Sequence, residues 1–308
     1  MPVKNLRDIQ QFEEFDHLEL IAKHVVEGFI TGLHKSPYHG FSVEFAEHRQ
    51  YNKGEPIKHI DWKLYARTDK LFVKRFEEET NLRAHLIIDI SSSMLFPLKE
   101  KRMNKLAYSV YLGAALIYLL KRQRDAVGLS LFDEEVRMHT DARLSQVHLA
   151  YLYNELRQLI SPEFQPEKRK TSAAESLNLL AEQIKKRSLI ILFSDMFSED
   201  DTDELFSALQ HLRFNKHEVI LFHVTDHELE QEFEFSNRPH KFIDLETGKQ
   251  LRLNPNEVRE QYKKQSHALV SDLKTRCGQY QIDFVEADIR QDFTEVLQAY
   301  LLKRTRLY

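Results

Sequence analysis

The chain has 308 residues, 42% of them apolar and 30% charged, enough to bury a sizeable core in one or two globular domains. A net charge of -4 argues against any general pull toward nucleic acid or an anionic membrane. The single cysteine, Cys277, excludes an internal disulfide framework and a multi-cysteine metal site.

The first twenty residues, MPVKNLRDIQQFEEFDHLEL, are polar and lack the apolar stretch of a signal peptide, so the expected location is the reducing cytoplasm. A helix follows, because Leu18, Ile21, Ala22, Val25, Val26 and Phe29 recur at helical spacing, with Asp16 and Glu19 as its capping box and Gly32 as its stop. From Gly40 to Glu79 the texture changes to short alternating pieces such as FSVEFAEH and KLFVKRFEEE, broken by Gly54, Pro56 and DWK, which predicts a small, mainly β region. The expected division is therefore residues 1–80 and 81–308.

After Asn81 the strand candidates AHLIID, AVGLSLF, LIILFS and EVILFHV alternate with long helical patterns, the rhythm of βαβ units and a parallel sheet. Helices are predicted over 99–122, 145–160, 172–187, 199–212 and 254–277, the last opened by Asn254, Pro255 and Glu257. A final strand, IDFVEA, and a helix over 292–303 complete the series. The uncharged run Leu106 to Leu120 is 15 residues, short of the ~20 needed to cross a bilayer, and is read as a helix buried against the sheet. The predicted fold is α/β: a doubly wound, mostly parallel sheet flanked by helices, preceded by a small helix and β region.

Open α/β sheets bind ligands outside the carboxyl ends of their strands, near the point where the winding reverses. On that rim AHLIID ends in Asp89, Ser91 and Ser93, the loop before the 172–187 helix holds Thr171, and LIILFS ends at Ser194 and Asp195. The spacing D-x-S-x-S lets one loop aim a carboxylate and two hydroxyls at a common point. These are all hard oxygen donors, which selects Mg²⁺, with Mn²⁺ and Ca²⁺ as alternatives, over zinc or copper. Serine and threonine between a strand and a helix also serve as N-caps, and Ser172 with Glu175 makes a capping box. Asp89 tips the balance toward a cation, because a charge at the end of a buried strand is costly unless paired or bound to a metal.

D-I-S-S-S after an apolar strand, Thr171 before a helix and Asp195 after a later strand resemble the metal-ion-dependent adhesion site of von Willebrand factor A domains, over roughly Leu82 to the C-terminus. Upstream, EFAEHRQYNKGEPIKHIDWKLYARTDKLFVKRFEEE resembles the signature of a bacterial family known as domain of unknown function 58. The resemblance implies a von Willebrand factor A-like fold with Asp89, Ser91, Ser93, Thr171 and Asp195 as metal-site residues. It also implies work alongside a MoxR-type AAA+ ATPase in assembling or maturing other proteins. Two positions depart from the A-domain pattern: the run EKRK replaces a glycine before the threonine, and Met196 stands where many A domains have glycine.

Glu44 to Glu79 carries eight Lys or Arg and eight Asp or Glu, too balanced for a nucleic-acid patch. Ile60 and Trp62 alternate with Asp61 and Lys63 as in a half-buried strand or turn, which makes Trp62 a packing anchor. Arg49, Asp61, Lys63 and Arg67 are the candidate docking residues for a partner. Fifteen histidines suggest zinc, but H-E-x-x-H is absent and His34, His39, His48 and His59 fall at no ligand spacing. The cluster Glu228 to Glu234 reads as a solvated loop.

Two functional classes remain: a non-enzymatic, metal-dependent protein-binding module in which a partner's carboxylate completes the coordination, and a hydrolase using the same metal. Against the hydrolase, Ser91 replaces the second carboxylate of a D-x-D pair, and neither G-x-S-x-G nor G-x-x-x-x-G-K-[ST] occurs. A distant histidine such as His223 or His227 is the remaining candidate base. A scaffold without metal is the third reading.

Overall fold

The computed structural model describes residues 18–33, 48–50, 62–74, 82–98, 103–133, 135–161, 163–164, 173–196 and 202–306. In chain order these hold α1 (Leu18–Leu33), β1 (His48–Gln50), α2 (Trp62–Thr68), β2 (Phe72–Lys74), β3 (Arg83–Asp89), α3 (Lys105–Arg122), β4 (Ala126–Phe132) and β5 (Val136–His139). They continue with α4 (Gln146–Leu159), α5 (Ala173–Gln183), β6 (Leu189–Ser194), α6 (Thr202–Phe214), β7 (Glu218–Thr225), β8 (His240–Ile243), β9 (Gln250–Leu253), α7 (Pro255–Gln279), β10 (Asp283–Asp288) and α8 (Thr294–Arg306). The chain falls into two compact units, Thr31–Asn81 and the combination of Met1–Ile30 with Leu82–Tyr308.

The larger unit is built on a six-stranded sheet in the order β10-β7-β6-β3-β4-β5. Every pairing is parallel except the one joining edge strand β5 to β4. The apolar runs expected as buried strands form its interior: Leu86, Ile87 and Ile88 of β3 and Ile190, Ile191, Leu192 and Phe193 of β6 have no accessible surface. Each such side chain contributes roughly 1.5–3 kcal/mol of burial free energy. Successive residues serve opposite faces, as the pleat requires. Ile87, Ile190 and Leu192 pack with Leu177, Leu180, Leu209 and Leu212 of α5 and α6, whereas Leu86 and Ile88 lie against Gly113 of α3. The uncharged run Leu106 to Leu120 is α3, buried along nearly its whole length, and among the described residues no helix is long and apolar enough to cross a membrane.

The chain order places the reversal of winding at the centre of the sheet. From β3 it goes through α3 to β4 on one side, then returns across the sheet to β6 on the other side of β3. The crevice at the carboxyl ends of β3 and β6 is therefore where a doubly wound sheet accepts ligands. Within the same unit, α1 buries its predicted stripe of Leu18, Ile21, Ala22, Val25, Val26 and Phe29, and its Glu19 carboxylate accepts from Lys121 Nζ of α3 at 2.7 Å.

The smaller unit pairs β1 with β2 in antiparallel register, Arg49 opposite Val73. One expectation is corrected there. Trp62 and Lys63, read as strand or turn, open the helix α2; WKLYART contains no glycine or proline, and the alternation across IDWK is too short to hold a strand against that helical preference. Asp61 lies outside the described residues. Three strands went unpredicted, β5 and the antiparallel hairpin β8–β9, and α3 starts at Lys105 rather than Lys99 because Asn104 caps it, accepting from the Ala107 N–H at 2.7 Å.

Candidate cation site at the switch point

Asp89 is the last residue of β3, and the chain stays against β4 one residue further through the Ile90 N–H to Phe132 carbonyl bond at 2.7 Å. It then turns sharply. The Ser91 N–H donates to Asp89 Oδ1 at 2.9 Å, and the Met94 and Phe96 N–H groups donate to the carbonyls of Ser91 and Ser93. This closes a 3-10 turn over Ser92–Leu95. The turn brings the Ser91 and Ser93 hydroxyl oxygens within 3.0 Å of each other. On the neighbouring strand, the Ser194 hydroxyl donates to Asp89 Oδ2 at 2.6 Å and accepts from the Met196 N–H at 2.9 Å. Met196 adopts φ 52°, a conformation that glycine takes at little cost and methionine takes only when its surroundings hold it.

Asp195 follows Ser194 and is buried. Its Oδ2 accepts from Lys105 Nζ at 2.6 Å, and the same ammonium donates to Glu230 Oε1 at 2.6 Å. Glu230 Oε2 in turn accepts from the Asp226 N–H at 2.8 Å. The Asp195 carbonyl accepts from His223 Nε2 at 3.0 Å, while His223 Nδ1 is buried with no hydrogen-bond partner. A cleft of about 140 Å³ opens onto this group, lined by Ser93, Phe96, Lys105, Asp195 and Glu230, with Asp244, Leu245 and Glu246 from the β8–β9 turn.

Burial shapes the ionisation of all these groups. It pushes the Asp89 carboxyl up to about 6, with the charge of Asp195 adding to the rise and the Ser194 and Ser91 hydrogen bonds opposing it. Burial also works against the Lys105 ammonium, but the Asp195 and Glu230 carboxylates outweigh it and hold Lys105 protonated. Glu230 is raised by burial despite Lys105, and His223 is lowered by burial despite the neighbouring Asp195. Two carboxylates, Asp195 and Glu230, thus share one ammonium, while Asp89 is held by the Ser194 hydroxyl and the Ser91 N–H.

The donor set suits a hard divalent cation. Among the described residues no group of three or more His, Cys, Asp or Glu could hold a metal, so any ion at this rim would depend on hydroxyls as well as carboxylates. The 3.0 Å between Ser91 Oγ and Ser93 Oγ equals the edge of an octahedron with bonds of about 2.1 Å, the geometry magnesium demands.

Of the predicted residues, Asp89, Ser91, Ser93 and Asp195 stand on one rim. Thr171 lies outside the described residues; Arg49 and Lys63 are placed in β1 and α2 by backbone only, and Arg67 is exposed. The acidic cluster expected as a solvated loop is corrected: His227–Gln231 forms a π-helical turn with Leu229 and Gln231 buried, because Glu230 has the Lys105 ammonium to reach inward for. Lys105 and Glu230 are the residues that the sequence does not place in the site; Ser194 is on the predicted rim without an assigned role, and His223 enters only as a distant candidate base. One signal was present: Lys105 heads an uncharged buried helix, where a cation faces the positive end of the helix dipole and needs an anion. Nothing in the sequence marks Glu230, 125 residues away, as that anion.

The sequence matches the model of a family described as "Protein of unknown function DUF58" over residues 47–270. It is 23% identical over 209 residues to an uncharacterized protein of Mycobacterium bovis, covering 68% of this chain and 63% of that one. Uncharacterized proteins from two strains of Mycobacterium tuberculosis match to the same extent. The chain thus spans 63% of the length of the mycobacterial relatives it matches. Among solved structures, an aerotolerance-related membrane protein from Bacteroides fragilis aligns with TM-score 0.41 and 15% identity over 73% of this chain and 99% of that one. An uncharacterized membrane spanning protein from Vibrio fischeri aligns with TM-score 0.23 and 14% identity over 72% and 98%.

Proposed function

Starting from the premise that the chain belongs to the protein family of unknown function DUF58, we propose that it is a non-enzymatic, divalent-metal-dependent protein-binding module of the von Willebrand factor A type. The observation that carries this reading is the convergence of Asp89 with the Ser91 and Ser93 hydroxyls at the carboxyl ends of β3 and β6. Asp89, Ser91 and Ser93 would hold Mg²⁺, or Mn²⁺ or Ca²⁺ in its place, with Thr171 and Asp195 as the further candidates. A cation bound there would offer an open coordination position to a carboxylate oxygen of another protein.

The chain's own groups suit that role. Asp89 brings one negative charge and the serines bring none, so a divalent ion would keep net positive charge. Ser194 and the Ser91 N–H fix both Asp89 oxygens in place, which spares the entropy of ordering the carboxylate on binding. His223 donates from Nε2 to the Asp195 carbonyl and is not among the residues that line the cleft. The partner we propose is a MoxR-type AAA+ ATPase acting in the assembly or maturation of other proteins, with any ATP hydrolysis belonging to that partner. Arg49, Asp61, Lys63 and Arg67 are proposed as a second docking surface.

The test is capture of the cognate MoxR-type ATPase on immobilised protein. The reading expects capture in Mg²⁺, loss in EDTA and loss for Asp89→Ala with its circular dichroism intact. Arg67→Ala should weaken capture without lowering the melting temperature. Capture that persists unchanged in EDTA contradicts metal dependence and favours a scaffold, and phosphate-ester hydrolysis abolished by Asp89→Ala would favour the hydrolase.

A further inference from the structure

Lys105 is an improbable lysine. It is 1% exposed, it is the first residue of α3, and there the helix dipole repels a cation. Stability alone does not account for it, because replacing a buried ion pair by apolar groups of similar size is often neutral or stabilising. Its Nζ lies 2.6 Å from both Asp195 Oδ2 and Glu230 Oε1. It is also tied to the loop that carries the two serines: the Lys105 N–H donates to the Phe96 carbonyl at 3.0 Å, and the ammonium lies 5.8 Å from the centroid of the Phe96 ring.

We propose that Lys105 is a tethered counter-ion that holds Asp195 out of the coordination shell, leaving the cation with Asp89 as its only carboxylate from this chain. This deepens the metal-dependent reading and rests on it. The consequence is electrostatic. If Asp195 joined Asp89 in the shell, two carboxylates would cancel a divalent charge and leave little attraction for a carboxylate from outside. With Asp195 held by the ammonium of Lys105, which Glu230 shares, the ion keeps Asp89 as its only carboxylate from this chain and with it the charge that makes an acidic group of a partner its natural sixth ligand. Lys105 is thus a positioning residue for the affinity of the site.

The experiment uses Mn²⁺ alone as probe, with affinity from calorimetry and bound water from proton relaxation. Lys105→Met combined with Glu230→Gln removes one positive and one negative charge, so net charge is conserved while the tether on Asp195 is lost. This variant should bind Mn²⁺ about tenfold more tightly, the scale of effects of groups that orient metal ligands. Its bound ion should relax water less, because Asp195 has displaced one water. Adding Asp195→Asn to it should reverse both changes. Should the double variant not fold, Asp195→Asn alone carries the test: the bound ion keeps the wild-type water relaxation.

Unchanged affinity and relaxation in the folded double variant overturn the proposal, as does a rise in relaxation on Asp195→Asn, which would mean that water has replaced a direct ligand. Mn²⁺ binding by the double variant but not by wild type upholds the role of Lys105 and overturns the metal-dependent reading of the natural chain. Absence of binding in every variant overturns both.

Discussion

His85 and Asp89 sit four residues apart on β3, and burial drives each toward its neutral form. Burial, with His139 and His217 adding to it, pushes His85 down to about 3, and burial with Asp195 pushes Asp89 up to about 6. His85 Nε2 meets Ser130 Oγ at 2.8 Å, and the same hydroxyl meets His139 Nδ1 at 2.9 Å. The His85 and His139 rings stack with centroids 5.0 Å apart. An unfolded His85 takes up its proton near 6.5, so the stability from its neutral burial is complete above that pH and is lost as pH falls below it, by at most about 1.4 kcal/mol per pH unit. Asp89 runs the other way: its contribution is present at acid pH and lost as pH rises through about 6. Each must therefore be isolated by its own variant. His85→Gln should flatten the loss of urea midpoint between pH 7.5 and pH 5.5 relative to wild type; equal losses would contradict the account. At this scale, Asp89, Ser91 and Ser93 are legible in the sequence because one tight loop places them. Lys105 and Glu230 are not, because their pairing is set by helix and turn packing across the cleft.

Among the elements, β4 shows how closely side chain and backbone are matched. A Cβ at Gly128 would stand 2.5 Å from His85 Nδ1 and 2.7 Å from the Thr140 carbonyl oxygen, with no flexible tip to yield. Gly128→Ala should therefore destabilise the protein by roughly 1–3 kcal/mol through overpacking, read as a lower denaturant midpoint at unchanged slope. A midpoint equal to wild type would mean that the His85 ring is free to move. The elements that are legible in the sequence are those whose pattern is locally complete: buried strands such as LIILFS, and helices with caps, such as α7 after Asn254 and Pro255. Edge strand β5, of four half-buried residues, and the short hairpin β8–β9 take their form from a partner strand, which no local pattern encodes. The turn at His227–Gln231 is of the same kind: its acidic composition speaks for solvent, and Lys105 turns one of its carboxylates inward.

The whole molecule combines a doubly wound sheet, whose switch point lies between β3 and β6, with an upstream segment rich in balanced charge, and the family match from residue 47 to residue 270 spans both. The fold class follows from the alternation of strands and helices. The site follows from where the winding reverses, since that reversal sets Asp89 beside Ser194 and Asp195 without any sequence proximity. The central claim is that this rim holds a divalent cation through Asp89. The most direct measurement is calorimetric titration of Mn²⁺ into wild type and Asp89→Ala, with circular dichroism of both. The account predicts one ion per wild-type chain and none in the folded variant. No uptake by wild type at millimolar Mn²⁺, or equal uptake by Asp89→Ala, would contradict it.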